Sequence, residues 1–142
     1  MGLDAYGLPL SAGVILQVKQ TSRSDNVTLS GSITYLTLTV TPKSRTSTIA
    51  LFGYVHTLPQ GAGEVTVQGV YKNSIVLLET QNVGDSVNTN YGSPPFLWFD
   101  TGVAANTTYT VVLSSSANTG LVASGILQLI EFEGAAEIVT SS

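Results

Sequence analysis

The side chains able to do chemistry are few and scattered. His56 is the single histidine in 142 residues, and there is no cysteine, which excludes disulfides, thiolate metal sites and cysteine nucleophiles together. His56 closes the run TIALFGYVH and belongs to neither an HExxH pattern nor a nucleophile motif, so it reads as a structural or interface residue rather than a general base. The carboxylates Asp4, Asp25, Glu64, Glu79, Asp85, Asp100, Glu131, Glu133 and Glu137 fall mainly at loop and strand ends. No spacing forces two of them into an acid/base pair, and a solvated rim is the expectation. Glu131 and Glu133 share one face of a strand and could join Asp100 around Ca²⁺ between subunits, but that ion needs about six to eight oxygens; no metal, no cofactor and no catalytic residue is expected.

Aromatic residues are more suggestive. Tyr91, Phe96, Trp98 and Phe99 flank or follow the Pro94-Pro95 pair, and a Trp beside a Tyr can stack on a sugar or on another chain. Alternation puts Phe96 and Trp98 on one face of FLWFDTG and Leu97 and Phe99 on the other. Both faces are then apolar, and the segment is expected to be buried twice, once in its own core and once against a neighbouring subunit. The sequons at Asn26 and Asn106 are expected by chance in a chain rich in Thr and Asn.

These residues must be positioned by strands. ITYLTLTVT (33–41) alternates Leu36, Leu38 and Val40 with Thr37, Thr39 and Thr41, the period of a strand with one face in a core and the other neutral. STIALFGYVH (47–56) follows after PKSRT. Further strands are predicted at 14–20, 64–71, 74–81, 96–102, 108–115 and 125–133, with a short one within 26–30; Lys72 and Asn73 read as a two-residue hairpin loop. Eight or nine strands at this spacing predict an all-β, single-domain antiparallel β-sandwich, jelly-roll-like. Its domain spans 14–133, preceded by an extended N-terminal arm at 1–13 and followed by a tail or last strand at 134–142. Gly125 argues against a helix where apolar residues fall at helical spacing in 123–130.

Composition limits the partners. Only 10% of residues are charged, against about 25% in ordinary domains, so much of the surface is expected to be covered by copies of the chain or by a larger assembly. The net charge is −4, and Lys19, Arg23, Lys43, Arg45 and Lys72 are dispersed; no nucleic acid is expected, because binding phosphate needs clustered cations. No run approaches the ~18 apolar residues of a membrane span, and the first residues have no basic start, so neither a membrane nor a signal peptide is expected.

The order GVILQVKQ (13–20), VTP (40–42), TIALFGYVH (48–56), YKNSIV (71–76) and GILQLIEFE (125–133) resembles a module of structural proteins of tailed bacteriophages, fibre-associated or head-decorating, many from phages of cyanobacteria. The resemblance spans roughly residues 13 to 133 and rests on strands and turns. It implies a virion component assembled as a trimer. The chain departs from a fibre in having no collagen-like repeat, heptads or shaft. The expected function is therefore a non-enzymatic capsid decoration or cement protein, binding the major capsid protein on the outer phage head as a homotrimer. Leu3, Tyr6, Leu8, Pro9 and Leu10 would supply the apolar contacts of a capsid-binding arm, and Tyr91, Phe96, Trp98 and Phe99 a subunit interface or glycan contact. The alternative is a tail-fibre tip or adaptor whose loops 59–63 and 83–95, with Tyr91 and Trp98, bind host surface glycans. A small carbohydrate-active enzyme is the third reading, and no residue constellation supports it.

Overall fold

The computed structural model describes residues 14–84, 92, 94–103, 105–117 and 119–134; the proposed arm, Tyr91 and the tail beyond Gly134 lie outside them. Nine strands run in the order β1 (Ile15–Arg23), β2 (Val27–Thr28), β3 (Ile33–Val40), β4 (Ser47–Leu58), β5 (Val65–Lys72), β6 (Ile75–Val83), β7 (Phe96–Val103), β8 (Thr107–Ser115) and β9 (Leu121–Glu133). One sheet has the order β1-β9-β4-β7, with β2 also on β9, and the other has the order β3-β8-β5-β6.

The pairing is nested. Around the β5–β6 hairpin, β4 pairs with β7, β3 with β8 and β1 with β9, all antiparallel. The chain thus behaves as one long ribbon doubled back at a turn, its successive strand pairs laid alternately on the two sheets. That is the jelly-roll arrangement. The turn itself is Asn73-Ser74, at φ of 46° and 73°, one residue later than the Lys72-Asn73 loop predicted. Two positive φ values are what a tight hairpin matching strand twist demands, and Lys72 stays in the strand opposite Ile75.

Alternation fills the space between the sheets. Leu36, Leu38 and Val40 of β3 meet Ile49, Leu51 and Val55 of β4, Val111 and Leu113 of β8, and Leu127 and Leu129 of β9, all buried. Each such side chain contributes about 1.5–3 kcal/mol by leaving water. Along one side the sheets are tied by long side chains of β1. Lys19 donates from Nζ to the Thr39 carbonyl at 2.8 Å, Gln17 from Nε2 to the Thr41 carbonyl at 2.8 Å, and Arg23 to the Tyr35 carbonyl at 3.4 Å. Lys19 and Arg23 thereby occupy carbonyls of the edge strand β3, and Gln17 that of the residue just past its end, groups that would otherwise invite another strand. Towards the other side, Asp100 of β7 accepts from Tyr109 Oη at 2.6 Å and lies 2.8 Å from Lys72 Nζ. Burial, then the hydrogen bond and charge of Asp100, raise the Tyr109 phenol far above its ordinary value, so it remains a neutral donor.

Candidate interaction face

Residues directly opposite one another in antiparallel strands point to the same side of the sheet, so the register assembles the outer surface of β1-β9-β4-β7 row by row. Val18, Ile130, Ala50 and Phe99 form one row across all four strands. Beside it lie Gln20, Gln128, Phe52 and Leu97, then Ser22, Ile126 and Tyr54; on the other flank lie Ile15, Phe132, Thr48 and Thr101. No Asp, Glu, Lys or Arg occurs in any of these rows. Val18 is 63% exposed, Ile15 61%, Leu97 58% and Phe99 42%, so the apolar area is open at both flanks.

The opposite sheet presents a different chemistry. Its outer side pairs Thr37 with Thr110 and Thr39 with Thr108, the latter hydroxyls 3.0 Å apart, and carries Glu79 opposite Gly69. The Thr rows that stand out in the sequence form the hydrogen-bonding half of this side, while Val76 and Val83 of β6 remain 49% and 58% exposed at its other edge.

Of the sequence-predicted aromatic residues, Phe96 is in the core at 4% exposure and does not present itself to a partner; its place opposite Gly53 leaves room for the ring inside. Trp98 also has core parity, opposite Leu51, yet stays 37% exposed because among the described residues β7 pairs only with β4 and forms the sheet edge. Phe99 and Leu97 face outward. Beside Tyr54 at one end of the face is a depression of about 310 Å³ bordered by Ser22, Ser24, Ser124 and Arg23. The Arg23 guanidinium is already held, by Asp25 at 2.5 and 2.8 Å and over the Tyr35 ring at 4.6 Å. The hydrogen bond from Arg23 holds the Asp25 carboxyl below its usual range. Tyr54 packs edge-on against His56, centroids 5.1 Å apart, so His56 is bound up with this surface.

The carboxylates correct the sequence reading: Glu64, Asp100, Glu131 and Glu133 are buried rather than a solvated rim. Glu131 accepts the Lys43 and Ser44 amides at 2.7 and 3.3 Å, together with Ser47 Oγ and Gln17 Nε2. Glu133 accepts from Thr46 Oγ1. In the register Ile49 stands between Glu131 and Asp100, and among the described residues no three His, Asp or Glu converge on a cation position. These acids organise loops.

Glu64 shows the consequence for pH. Burial alone would raise its pKa, but donors from Ser115, the Gln60 amide at 2.5 Å, Thr119 at 3.2 Å and the Gly61 amide outweigh it and hold the carboxyl below the ordinary value. A depressed folded pKa stabilises the native state above about pH 4.3, the unfolded value, and that stability disappears as pH falls through the lower folded value. Melting curves between pH 6 and pH 3 are therefore expected to fall less steeply for Glu64→Gln than for the unaltered chain, with Asp25 acting in the same direction; parallel curves would contradict this.

With the geometry in place, comparison with solved structures is informative about the class of fold. The chain superposes on the crystal structure of the infectious bursal disease virus VP2 subviral particle with a TM-score of 0.56 at 14% identity, covering 96% of this chain and 42% of that one. It matches infectious bursal virus derived T=1 particles with a TM-score of 0.50 at 13% identity, covering 96% and 40% respectively. Dimeric latent PorU from Porphyromonas gingivalis aligns at a TM-score of 0.46, 9% identity, 94% of this chain and 14% of that one, too loosely to carry an argument. No protein-family model matches the chain, and no curated protein does. The class is an all-β, two-sheet antiparallel sandwich of a kind also found in virus particles. At these identities the likeness is one of fold, and this chain spans less than half the length of either viral chain.

Proposed function

We propose that this protein is a non-enzymatic structural component of a virion, decorating the outside of a tailed-phage head as a homotrimer and reinforcing it by binding. The observation that carries this reading is the uncharged apolar outer face of β1-β9-β4-β7, on a sandwich whose fold recurs in viral particles. Exposed apolar side chains gathered on one sheet face, here Ile15, Val18, Tyr54, Leu97 and Phe99, are the mark of an interaction surface, and depletion of charge with retained aromatics is the composition of an interface centre. The arm, through Leu3, Tyr6, Leu8, Pro9 and Leu10, would lie across subunits of the major capsid protein. Each arm binds weakly, but three on one trimer raise the effective concentration enough for tight attachment.

Deleting residues 2–10 is expected to leave a folded oligomer that no longer adds to particles, measured as occupancy on heads by gel densitometry and by antibody labelling. Undiminished occupancy refutes the arm; labelling on tails alone refutes decoration. The tail-tip reading draws on the depression beside Tyr54, where an aromatic ring and three serine hydroxyls are the groups that hold a neutral sugar. Glycan-array binding lost on Tyr54→Ala would favour it.

A further inference from the structure

We infer that the depression beside Tyr54 binds a single neutral pyranose, the apolar face of the sugar on the tyrosine and its hydroxyls on the serines; this rests on the glycan reading of that depression and narrows it to one sugar unit of one charge class.

The depression exists because two irregularities of the sheet coincide. β1 pairs with β9 as far as Arg23↔Gly125, and β2 takes up the pairing again only at Val27↔Val122. Between them the edge is interrupted, and among the described residues Ser124 has its registered partner, His56, on the β4 side alone. On that side the register jumps from His56↔Ser124 to Thr57↔Val122, so Ala123 is an extra residue in β9. A bulge of this kind re-aims the side chains beside it and is over-represented next to functional sites. Here it falls at the notch in the edge, and Ser22, Ser24, Ser124, Tyr54 and Ile126 line the resulting space of about 310 Å³.

Its walls are held before any ligand arrives. Tyr35, 3% exposed, donates from Oη to the Asp25 carbonyl at 3.1 Å, and Arg23 grips the Asp25 carboxylate while its Cζ lies 4.6 Å from the Tyr35 ring centroid. These contacts fix the segment that carries Ser24. His56 meets the Tyr54 ring from the adjoining row with the two planes 69° apart, and Tyr54 remains 40% exposed. Walls fixed in advance reduce the ordering that binding must impose.

The lining selects the ligand. Serine hydroxyls both donate and accept, as sugar hydroxyls do, while the Tyr54 ring and Ile126 offer an apolar patch for the C–H face of a pyranose. The volume is at the bottom of the ~300–1,000 Å³ usual for ligand sites, room for one ring rather than a chain. Among the described residues no carboxylate lines the depression, and its one cation, Arg23, is already paired with Asp25 at 2.5 and 2.8 Å. A charged sugar therefore finds no counter-ion there. A wholly apolar ligand would leave three hydroxyls cut off from water.

The test is titration of the isotopically labelled full chain with methyl glycosides of glucose, galactose, mannose and N-acetylglucosamine, followed by amide chemical shifts, with glucuronate and glucosamine as charged counterparts. At least one neutral glycoside is expected to shift the amides of Ser22, Tyr54 and Ser124, with a dissociation constant on the order of 1–10 mM for so small a ligand. Tyr54→Ala and Ser124→Val are each expected to weaken binding at least ~10-fold, with near-UV circular dichroism confirming the fold. Thr37→Ala, on the opposite sheet, should bind as the unaltered chain does. Asp25→Asn releases the Arg23 charge and should improve glucuronate relative to the neutral glycosides by about 10-fold, a change that a purely structural role for Asp25 would not produce. Binding that survives Tyr54→Ala and is lost on Trp98→Ala places the sugar at the β7 edge and overturns the inference. Preference of the unaltered chain for glucuronate, or binding of oligosaccharides on a glycan array without any single-ring glycoside, overturns it while leaving a glycan site of another kind; a chain that binds no saccharide at all sinks the glycan reading as well. Antibody labelling of particles is independent of these outcomes, so head decoration stands or falls apart from the sugar.

Discussion

Glu131→Leu is expected to lower stability by about 3–5 kcal/mol, the net of several unsatisfied donors at about 1–3 kcal/mol each against the relief of a buried charge, a fall in melting temperature on the order of 10 °C or more for a chain of this size. The carboxylate is fully buried and has no basic side chain among its hydrogen-bonding partners. Its charge is compensated by the Lys43 and Ser44 amides, Ser47 Oγ and Gln17 Nε2. Leucine has similar bulk and fits a core, so the change in volume is small; the damage comes from donors left unsatisfied away from water. Glu131→Gln keeps one oxygen for the loop amides but turns its own NH₂ towards Gln17, and should cost less. The same acid joins the β3–β4 linker to β9, so its loss should free that linker locally. Lys43 and Arg45 lie in the linker and make trypsin a direct reporter: cleavage there should accelerate in Glu131→Leu at temperatures where the unaltered chain resists it. Equal melting temperatures and equal cleavage would mean that the carboxylate does not hold the linker.

The buried acids also mark the limit of what the chain discloses before it is folded. Strand positions were legible because Leu36, Leu38 and Val40 alternate with threonine, and because Asn73 allows the turn from which the ribbon doubles back. Burial of Glu131 and Glu133 runs against the rim expected of them, although they continue the parity of Leu127 and Leu129 on β9, and a core-facing strand carries them inward. Composition suggested a rim because carboxylates are ordinarily solvated. Local donors, contributed by a loop some 85 residues away, decide otherwise. The interaction face was hidden for a different reason. Val18, Ile130, Ala50 and Phe99 lie far apart in the chain, and only the register of three strand pairs sets them in one row. Each strand's alternation predicts an inside and an outside, but neighbours across a sheet depend on which strands pair. The β9 boundary moved from Gly125 back to Leu121 on the same ground, since β2 and the end of β4 supply partners there.

Register also locates the substitution expected to do most harm to the face from within. Gly53→Ala should prevent the native fold or destabilise it by more than about 4 kcal/mol, beyond the ordinary range of single substitutions. A Cβ at Gly53 would stand 2.0 Å from the Ile126 carbonyl oxygen and 3.1 Å from the Phe96 ring. The ring could turn aside, but the carbonyl belongs to β9, whose pairing with β4 runs from Ser47↔Glu133 to Leu58↔Leu121. Making room therefore means separating the two central strands of the sheet. Because Tyr54 and Phe52 flank Gly53 while Ile126 faces Tyr54, the separation would distort two rows of the outer surface as well. Gly61→Ala is the matched control, since a Cβ there meets nothing within 4 Å, and it should melt within a few degrees of the unaltered protein. Soluble yield, circular dichroism and amide hydrogen exchange on β4 and β9 distinguish the two. A Gly53→Ala protein with native melting temperature and native protection on both strands would mean that β4 and β9 do not approach as closely as the register requires, and the continuous apolar face would then lose its central support.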